Sequence, residues 1–475
     1  MTFGGIPQWI ILPWLFAFGA CIGSFLNVCI YRIPQHERLW DQLRGLTHPP
    51  SSCPFCRRRI LAIDNIPVFG WLILWGRCRF CRHTIPPRYA LIEFFNGLLW
   101  VMLYMLIVPA GFQATVKDSC LWSPLSPLAD PALSFPQQVF WLHAQYFYFL
   151  VLVEALLVAT FIDFDLYVIP DGSTVPAMIV GVLGACVLGH LHPWPVWFQC
   201  QTTQGFFQQM LPDAWIWARD CGPPAWLIAH PHLHGLLSSL AGIIVGGGIV
   251  WLVRIIGERV MRRETMGFGD VILMAMIGSF LGWQATIIVF FVAPFCSLVV
   301  IGATLLFGLV QVAVSAGRRC FSRPLSPGFV GERVRVRGFS WAAMRLELGL
   351  LLQRVREIAY GPYLSIAALL VLLFWNVRFS KFEQYFCLGP VVFVHGVFMI
   401  GMLALTLMFV QYVKRLLGFV DLDEPPWEWS SGDQLAYYAS KDAASVSSPL
   451  QPPTWPGTSA GQGRQFTDRW RSSGR

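Results

Sequence analysis

Two sets of residues in this chain of 475 could do chemistry. The first is a group of carboxylates placed where carboxylates are expensive to keep. In the run TMGFGDVILMAMIG, residues 265–278, Asp270 stands directly ahead of a long apolar stretch and follows Gly267 and Gly269. In FIDFDLYVIPD, residues 161–171, Asp163, Asp165 and Asp171 follow another apolar run. Acids inside or at the ends of membrane spans are functional candidates because of what their desolvation costs. Two carboxylates brought together there would share one proton. The ionised one draws a proton from water while the protonated one donates to a scissile carbonyl oxygen. Glycines at 267 and 269 permit backbone conformations closed to other residues and let a neighbouring segment come close. Taken alone, Asp270 reads as an ordinary helix N-cap. Its weight comes from the second acid motif, expected at the same membrane face. Of the remaining acids, Asp165 is expected to be a solvated charge and Asp171 a cap for the span that follows. Glu154, in mid-span, is expected to be a buried protonated acid with a hydrogen-bond partner, the alternative being that it lines the site.

The second set is thiols. CPFC at Cys53–Cys56 is followed, 21 residues later, by CRFC at Cys78–Cys81. Two C-x2-C turns at such a separation each present a pair of thiolates and together complete a closed, tetrahedral zinc site. Closure leaves no position for water, so a zinc held by Cys53, Cys56, Cys78 and Cys81 is expected to be structural. Disulfides are the alternative, disfavoured because the loop falls in a reducing compartment. Cys120, Cys200 and Cys221 fall outside the membrane and could pair, although nothing in their spacing demands it. The histidines at 190, 192, 230, 232 and 234 are expected to be flexible polar loop residues rather than metal ligands.

The elements that position these residues are membrane helices. The chain is 55% hydrophobic and 13% charged, with mean hydropathy +0.56, against about 25% charged for a soluble domain. Candidate spans fall near 9–31, 89–109, 140–162, 173–189, 235–253, 271–287, 288–311, 361–376 and 388–413, several of them long enough to cross a bilayer. The fold expected is an all-α polytopic membrane protein of about eight or nine transmembrane helices with a small cytoplasmic zinc-binding loop domain.

The net charge of +8 does not point to nucleic acid, since the basic residues gather in a few loops. Residues 32–88 hold ten arginines and three acids, whereas 110–139 and 190–233 hold one basic residue each, Lys117 and Arg219. That alternation puts 32–88, 254–269 and 315–360 in the cytoplasm and the N-terminus outside. The first 20 residues carry no Lys or Arg, so they read as the first span and not as a cleaved signal peptide. The organisation expected is a first span at 1–31, a tetracysteine domain at 32–88, a transmembrane core at 89–376, an additional span at 377–420 and a disordered cytoplasmic tail at 421–475. No internal repeat is evident.

These motifs resemble the type IV prepilin peptidases, or prepilin leader peptidase/N-methyltransferases, a family of membrane aspartic proteases of the GxGD type. The likeness runs through GSFLNVCIYRIP at 23–34, the two cysteine pairs, DNIPVFGWL at 64–72, RYALIEF at 88–94, FIDFDLYVIPD, MGFGDVILMAMIGSFLGWQ at 266–284 and YGPYL at 360–364. It covers most of residues 10–376. The resemblance implies cleavage of the short basic leader of type IV prepilins or type II secretion pseudopilins at the cytoplasmic face of a bacterial inner membrane. In bifunctional members it also implies N-methylation of the new terminus from S-adenosylmethionine. By motif match Asp163 and Asp270 take the places of the two catalytic aspartates, and the four cysteines those of the metal ligands. The match assigns no residue to S-adenosylmethionine. Ile272 stands where many members have Lys, and the length beyond 377 has no counterpart in a typical member. Two readings compete with a peptidase. A proton-coupled transporter would explain the acids but not the tetracysteine loop, and the loss of the lysine at Ile272 keeps open a catalytically inactive assembly scaffold.

Overall fold

The computed structural model describes residues 8–108 apart from 37, 48–50 and 54, residues 134–192 apart from 190, and residues 196, 229–261, 266–321, 360–374, 386, 394–402, 405, 408 and 409. Lys117, Cys120, His190, Cys200, Arg219, Cys221, most of the 315–360 loop and the expected disordered tail lie outside the described residues.

Among the described residues the architecture is helical apart from the turns and isolated bridges of the cysteine loop. The principal helices among the described residues are α1 (Gln8–Arg32), α2 (Leu39–Gly45), α3 (Phe69–Ile73), α4 (Arg88–Ile107), α5 (Phe135–Leu166), α6 (Asp171–Leu188), α7 (Pro231–Met261), α8 (Phe268–Leu281), α9 (Trp283–Phe321) and α10 (Gly361–Leu373). Six of these, α1, α4, α5, α6, α7 and α9, are long and apolar enough to cross a membrane; α8 and α10 are shorter apolar helices.

Local chemistry sets the helix ends. Ser134 and Gln137 form a reciprocal capping box that starts α5. Tyr167, in the left-handed conformation, stops it. The boundary between the sixth and seventh candidate spans, expected at 287/288, falls instead at Gly282, whose φ of 79° and ψ of 170° end α8. That conformation is open essentially to glycine alone. Hydropathy does not register it, because the residues on both sides are apolar.

The helices approach closely through small residues, the usual means of association where lipid is as apolar as the side chains. Gly242 of α7 and Gly278 of α8 bring the two backbones into contact, and a Cβ on either would strike the carbonyl of the other. Gly23 of α1 meets the backbone of Glu93 in α4, where an added Cβ would lie 2.8 Å from its Cα. The main core gathers Tyr146 and Phe149 of α5, Met274 and Ile277 of α8, and Leu364 and Val371 of α10. A second, smaller one joins Leu26 and Ile30 of α1 to Ile92 of α4 and Val158 and Ile162 of α5. This packing brings the end of α5, the start of α8 and the start of α10 together.

Candidate active site and metal centre

Asp163 lies in the last turn of α5 and is 5% exposed. Its Oδ2 accepts the backbone N–H of Gly361 at 3.0 Å. That N–H opens α10 and is one of the donors a helix leaves unpaired. A Cβ at Gly361 would collide with Asp163 Oδ2 and come within 2.8 Å of Ile169 Cδ1, so any larger residue must displace those side chains.

Asp270 lies in the first turn of α8 and is 8% exposed. Its backbone N–H bonds the Gly267 carbonyl at 3.2 Å. The neighbouring Gly269 leans on Ile169, where a Cβ would lie 2.9 Å from the Ile169 side chain. Ile169 therefore touches the start of α8 and the start of α10 at once. Asp163 lies near enough to Asp270 to act on it electrostatically across this junction, and Asp270 likewise acts on Tyr360. A carboxylate beside the N-terminus of a helix is also favoured by the helix dipole. Two buried carboxylates on one junction, with a backbone donor fixing one of them, can hold and pass a single proton.

The other acids do different work. Asp165, expected as a solvated charge, is paired. Arg88, at the start of α4, grips it bidentately, with Nη1 at 2.9 Å from Oδ1 and Nη2 at 2.7 Å from Oδ2. The guanidinium also sits 4.9 Å over the Phe161 ring. Two residues beyond Asp163 on a helix, Asp165 points to another face, and there it finds the basic opening residue of α4. Asp171, expected as a cap, is exposed and makes no capping bond; the N-cap is Pro170, already extended. The capping contact comes from Gln42 of α2, whose Oε1 accepts the Gly172 N–H at 2.7 Å. No sequence periodicity signals a glutamine reaching across from a distant helix.

Glu154 follows its expected structural role. Its Oε1 accepts from Asn96 Nδ2 at 3.0 Å and from Trp100 Nε1. It lies about 13 Å along α5 from Asp163 at ~1.5 Å per residue. His192 and His234 are buried, not flexible loop residues: the Val196 N–H donates to His234 Nε2 at 3.0 Å, and Ser239 Oγ is 3.5 Å from His192 Nε2. His192 lies against Ser239 of α7 and the Tyr148 ring of α5, and His234, in the first turn of α7, is covered by the Val196 backbone. Ile272 is half-buried in α8.

The four cysteines converge. Their sulfurs all lie within 4.8 Å of one another, and Cys53 Sγ and Cys81 Sγ are 3.8 Å apart. A tetrahedron with metal–sulfur bonds of about 2.3 Å has edges of roughly 3.8 Å, so the set fits one tetrahedral ion. The fit is made by two copies of one turn. The Cys53 carbonyl accepts the Arg57 N–H at 2.8 Å, and the Cys53 N–H donates to the Arg58 carbonyl. Likewise the Cys78 carbonyl accepts the Arg82 N–H at 3.0 Å and the Cys78 N–H donates to the His83 carbonyl. Arg57 and Arg82 both adopt positive φ, 56° and 60°, and the bridges Ser52↔Arg59 and Arg77↔Thr84 close the two turns. The two turns share the pattern C-x-F-C-R in CPFCRRR and CRFCRHT.

The DNIPVFGWL segment ties this centre to the helices. Arg79, between the second pair of cysteines, is held bidentately by Asp64 and keeps that carboxyl below its usual range. The Val68 N–H donates to Glu93 Oε2 of α4 at 2.7 Å, and Val68 itself takes a φ of 62° to do so.

Comparison with known proteins gives a consistent result. A model described as the type IV leader peptidase family matches residues 214–302, which contain Asp270, and one described as the bacterial peptidase A24 N-terminal domain matches residues 17–107, which contain all four cysteines. Asp163 falls between the two. The chain is 28% identical over 324 residues to a protein of Aeromonas salmonicida named prepilin leader peptidase/N-methyltransferase, covering 64% of this chain and 83% of that one. It is 29% identical over 288 residues to one of that name from Myxococcus xanthus, covering 60% and 61%, and 29% identical over 273 residues to one from Klebsiella pneumoniae, covering 57% and 85%. No solved structure matches the chain.

Proposed function

We propose, from its similarity to the type IV leader peptidase family and to prepilin leader peptidase/N-methyltransferases, that the chain removes the leader of type IV prepilins or type II secretion pseudopilins and then N-methylates the new terminus. Asp163 and Asp270 are the catalytic pair. The observation that carries this reading is their burial on one junction, with the Gly361 N–H bound to Asp163.

The helix alternation supports the placement. If α1 and α4–α10 each cross once with the N-terminus outside, the end of α5, the start of α8 and the start of α10 share the cytoplasmic face with the tetracysteine loop. A ninth crossing would fall at 388–413, where residues 394–402 are helical. The membrane is then the inner membrane of a bacterium. A substrate whose apolar helix stays in the bilayer presents its leader junction at that face.

The reaction is hydrolysis by a shared proton. The ionised carboxylate takes a proton from water as the water oxygen attacks the scissile carbonyl carbon, and the protonated one donates to the carbonyl oxygen. Collapse of the tetrahedral species breaks the C–N bond and passes a proton to the leaving amine. The pair returns to its starting state with one proton between them. Gly361 holds Asp163 in place through its N–H.

The fourfold thiolate set suits Zn²⁺, which there supplies folding energy and no reactive position. S-adenosylmethionine is the methyl donor this reading implies.

The proposal is tested by co-expressing a candidate prepilin with wild-type protein, Asp163→Asn and Asp270→Asn, and reading the N-terminus of the product by mass spectrometry. The expected result is a cleaved, N-methylated terminus with wild type and an intact leader with each variant. Full processing by either variant rejects the pair. A proton-coupled transporter leaves the tetracysteine centre unexplained, and a cleaved product excludes an inactive scaffold.

A further inference from the structure

The segment between the two cysteine turns exposes more large apolar side chains than a domain in water keeps. Ile63, Ile66, Phe69, Leu72, Ile73 and Trp75 are all exposed, Trp75 at 88%. They alternate with residues that face inward. Gly70 packs on the Asp64 carbonyl, and Trp71 donates its Nε1–H to the Ile85 carbonyl at 2.9 Å. The short helix α3 therefore has one side tied to the protein and one side bare.

The depth of that bare side is fixed by α4. The Val68 N–H is bonded to Glu93, in the second turn of a helix long and apolar enough to span the membrane. Glu93 lies about 7 Å beyond the start of α4 at ~1.5 Å per residue. Val68 and the α3 that follows it thus sit beside the first two turns of a span, at the level of headgroups and upper acyl chains. Aromatic side chains and amphipathic elements collect at that level.

Charge selects the same partner. Between residues 51 and 88 there is one acid, Asp64, already paired with Arg79. Arg57, Arg59, Arg77 and Arg82 are exposed on the two cysteine turns. Such a surface attracts anionic headgroups and repels a second basic segment.

We propose that residues 63–75 form an interfacial anchor that seats the tetracysteine domain on an anionic bilayer surface, with Phe69 and Trp75 entering the lipid and the flanking arginines meeting phosphate. The anchor rests on α4 being a membrane span and is independent of the peptidase reading. Seating the domain would fix its height relative to the junction of α5, α8 and α10.

The test places the photoreactive residue benzoylphenylalanine at position 69 or 75 of the full chain. Each variant is reconstituted into vesicles of phosphatidylethanolamine and phosphatidylglycerol that contain alkyne-tagged phosphatidylglycerol. Each must keep the thermal melt of the unsubstituted protein, with position 63 replacing any that does not. Irradiation is expected to attach tagged lipid at both positions. The yield is expected to fall at least about fivefold when Arg57, Arg59, Arg77 and Arg82 are all changed to Gln, a factor that roughly one basic contact with an anionic surface accounts for. Adducts to protein alone, from a second copy or another segment of the chain, overturn the anchor, as does the absence of adducts. Lipid adducts indifferent to the arginine changes overturn its preference for anionic lipid.

Discussion

The metal centre and the aspartate junction are built in opposite ways. Each half of the metal centre is a single turn, Cys53–Arg59 or Cys78–Thr84, closed by its own backbone bonds. The junction has no local half. Asp163 comes from the end of one helix, Asp270 from the start of another, and the donor to Asp163 from the start of a third. A site made of local turns needs only two turns to meet, whereas a site made of helix ends depends on every close approach between those helices. The first is expected to fail piecewise when broken, and the second all at once.

The largest effect tests the second half of that contrast. Asp163→Asn and Asp270→Asn each remove the shared proton, and cleavage is expected to fall by roughly 10²–10⁴-fold or more in timed processing of a prepilin in proteoliposomes. The helices should still assemble, since Asn has the shape of Asp and its amide oxygen can still accept the Gly361 N–H. A residual rate within about threefold of wild type would mean that the junction does not carry the chemistry.

Next comes Gly361→Ala, which leaves both carboxylates present and displaces one. The added methyl meets Asp163 Oδ2 and Ile169, so the carboxylate must move. Displacement of about 1 Å can cost roughly 10²-fold. The turnover of this variant is expected to fall by about one to two orders of magnitude, with substrate affinity nearly unchanged. Equal losses in both would show that Gly361 shapes the substrate groove instead.

Cys53→Ser breaks the other region. Bound metal, counted by elemental analysis, is expected to drop from one ion per chain to a small fraction. The thermal transition of the 51–88 region is expected to fall, because a structural ion contributes its binding energy to folding. Cleavage by the protein still folded should stay within about tenfold of wild type, since no cysteine lies at the junction. A metal-free protein as inactive as the aspartate variants would erase the distinction between the two regions.

The same contrast decides how much of each region is legible in the amino-acid sequence. The cysteine spacing is sufficient for the metal centre, because turns of four residues fix their own geometry. The two aspartates are legible as acids at the ends of apolar runs, and topology puts them on one face. Their third partner is not. Nothing in YGPYL marks the Gly361 N–H as a donor to an aspartate, and the contact exists only because α10 packs on α5. Gln42 capping α6 and Arg88 holding Asp165 are hidden for the same reason: each joins residues remote in the chain, and neither has a periodic signature. The break at Gly282 is hidden by uniform hydropathy, which reports where apolar residues are and not where the backbone turns.

The smallest effect lies inside the metal centre and asks whether it is as self-contained as its turns suggest. Asp64 belongs to neither turn, yet it holds Arg79 of the second one. That pairing keeps the Asp64 carboxyl below its usual range. A carboxyl depressed in the folded state stabilises it above the unfolded value of about 3.9, and the contribution is lost as pH falls through the lower, folded value. Arg79 is solvent-facing, so screening keeps the effect small. Asp64→Asn is therefore expected to lower the thermal transition of the 51–88 region slightly at pH 7 and to lose that difference as pH falls through the depressed carboxyl of the folded state. Added salt should shrink it at neutral pH. A difference that does not change with pH would show that the Asp64 charge is idle and that the second turn keeps its geometry without help from the segment between.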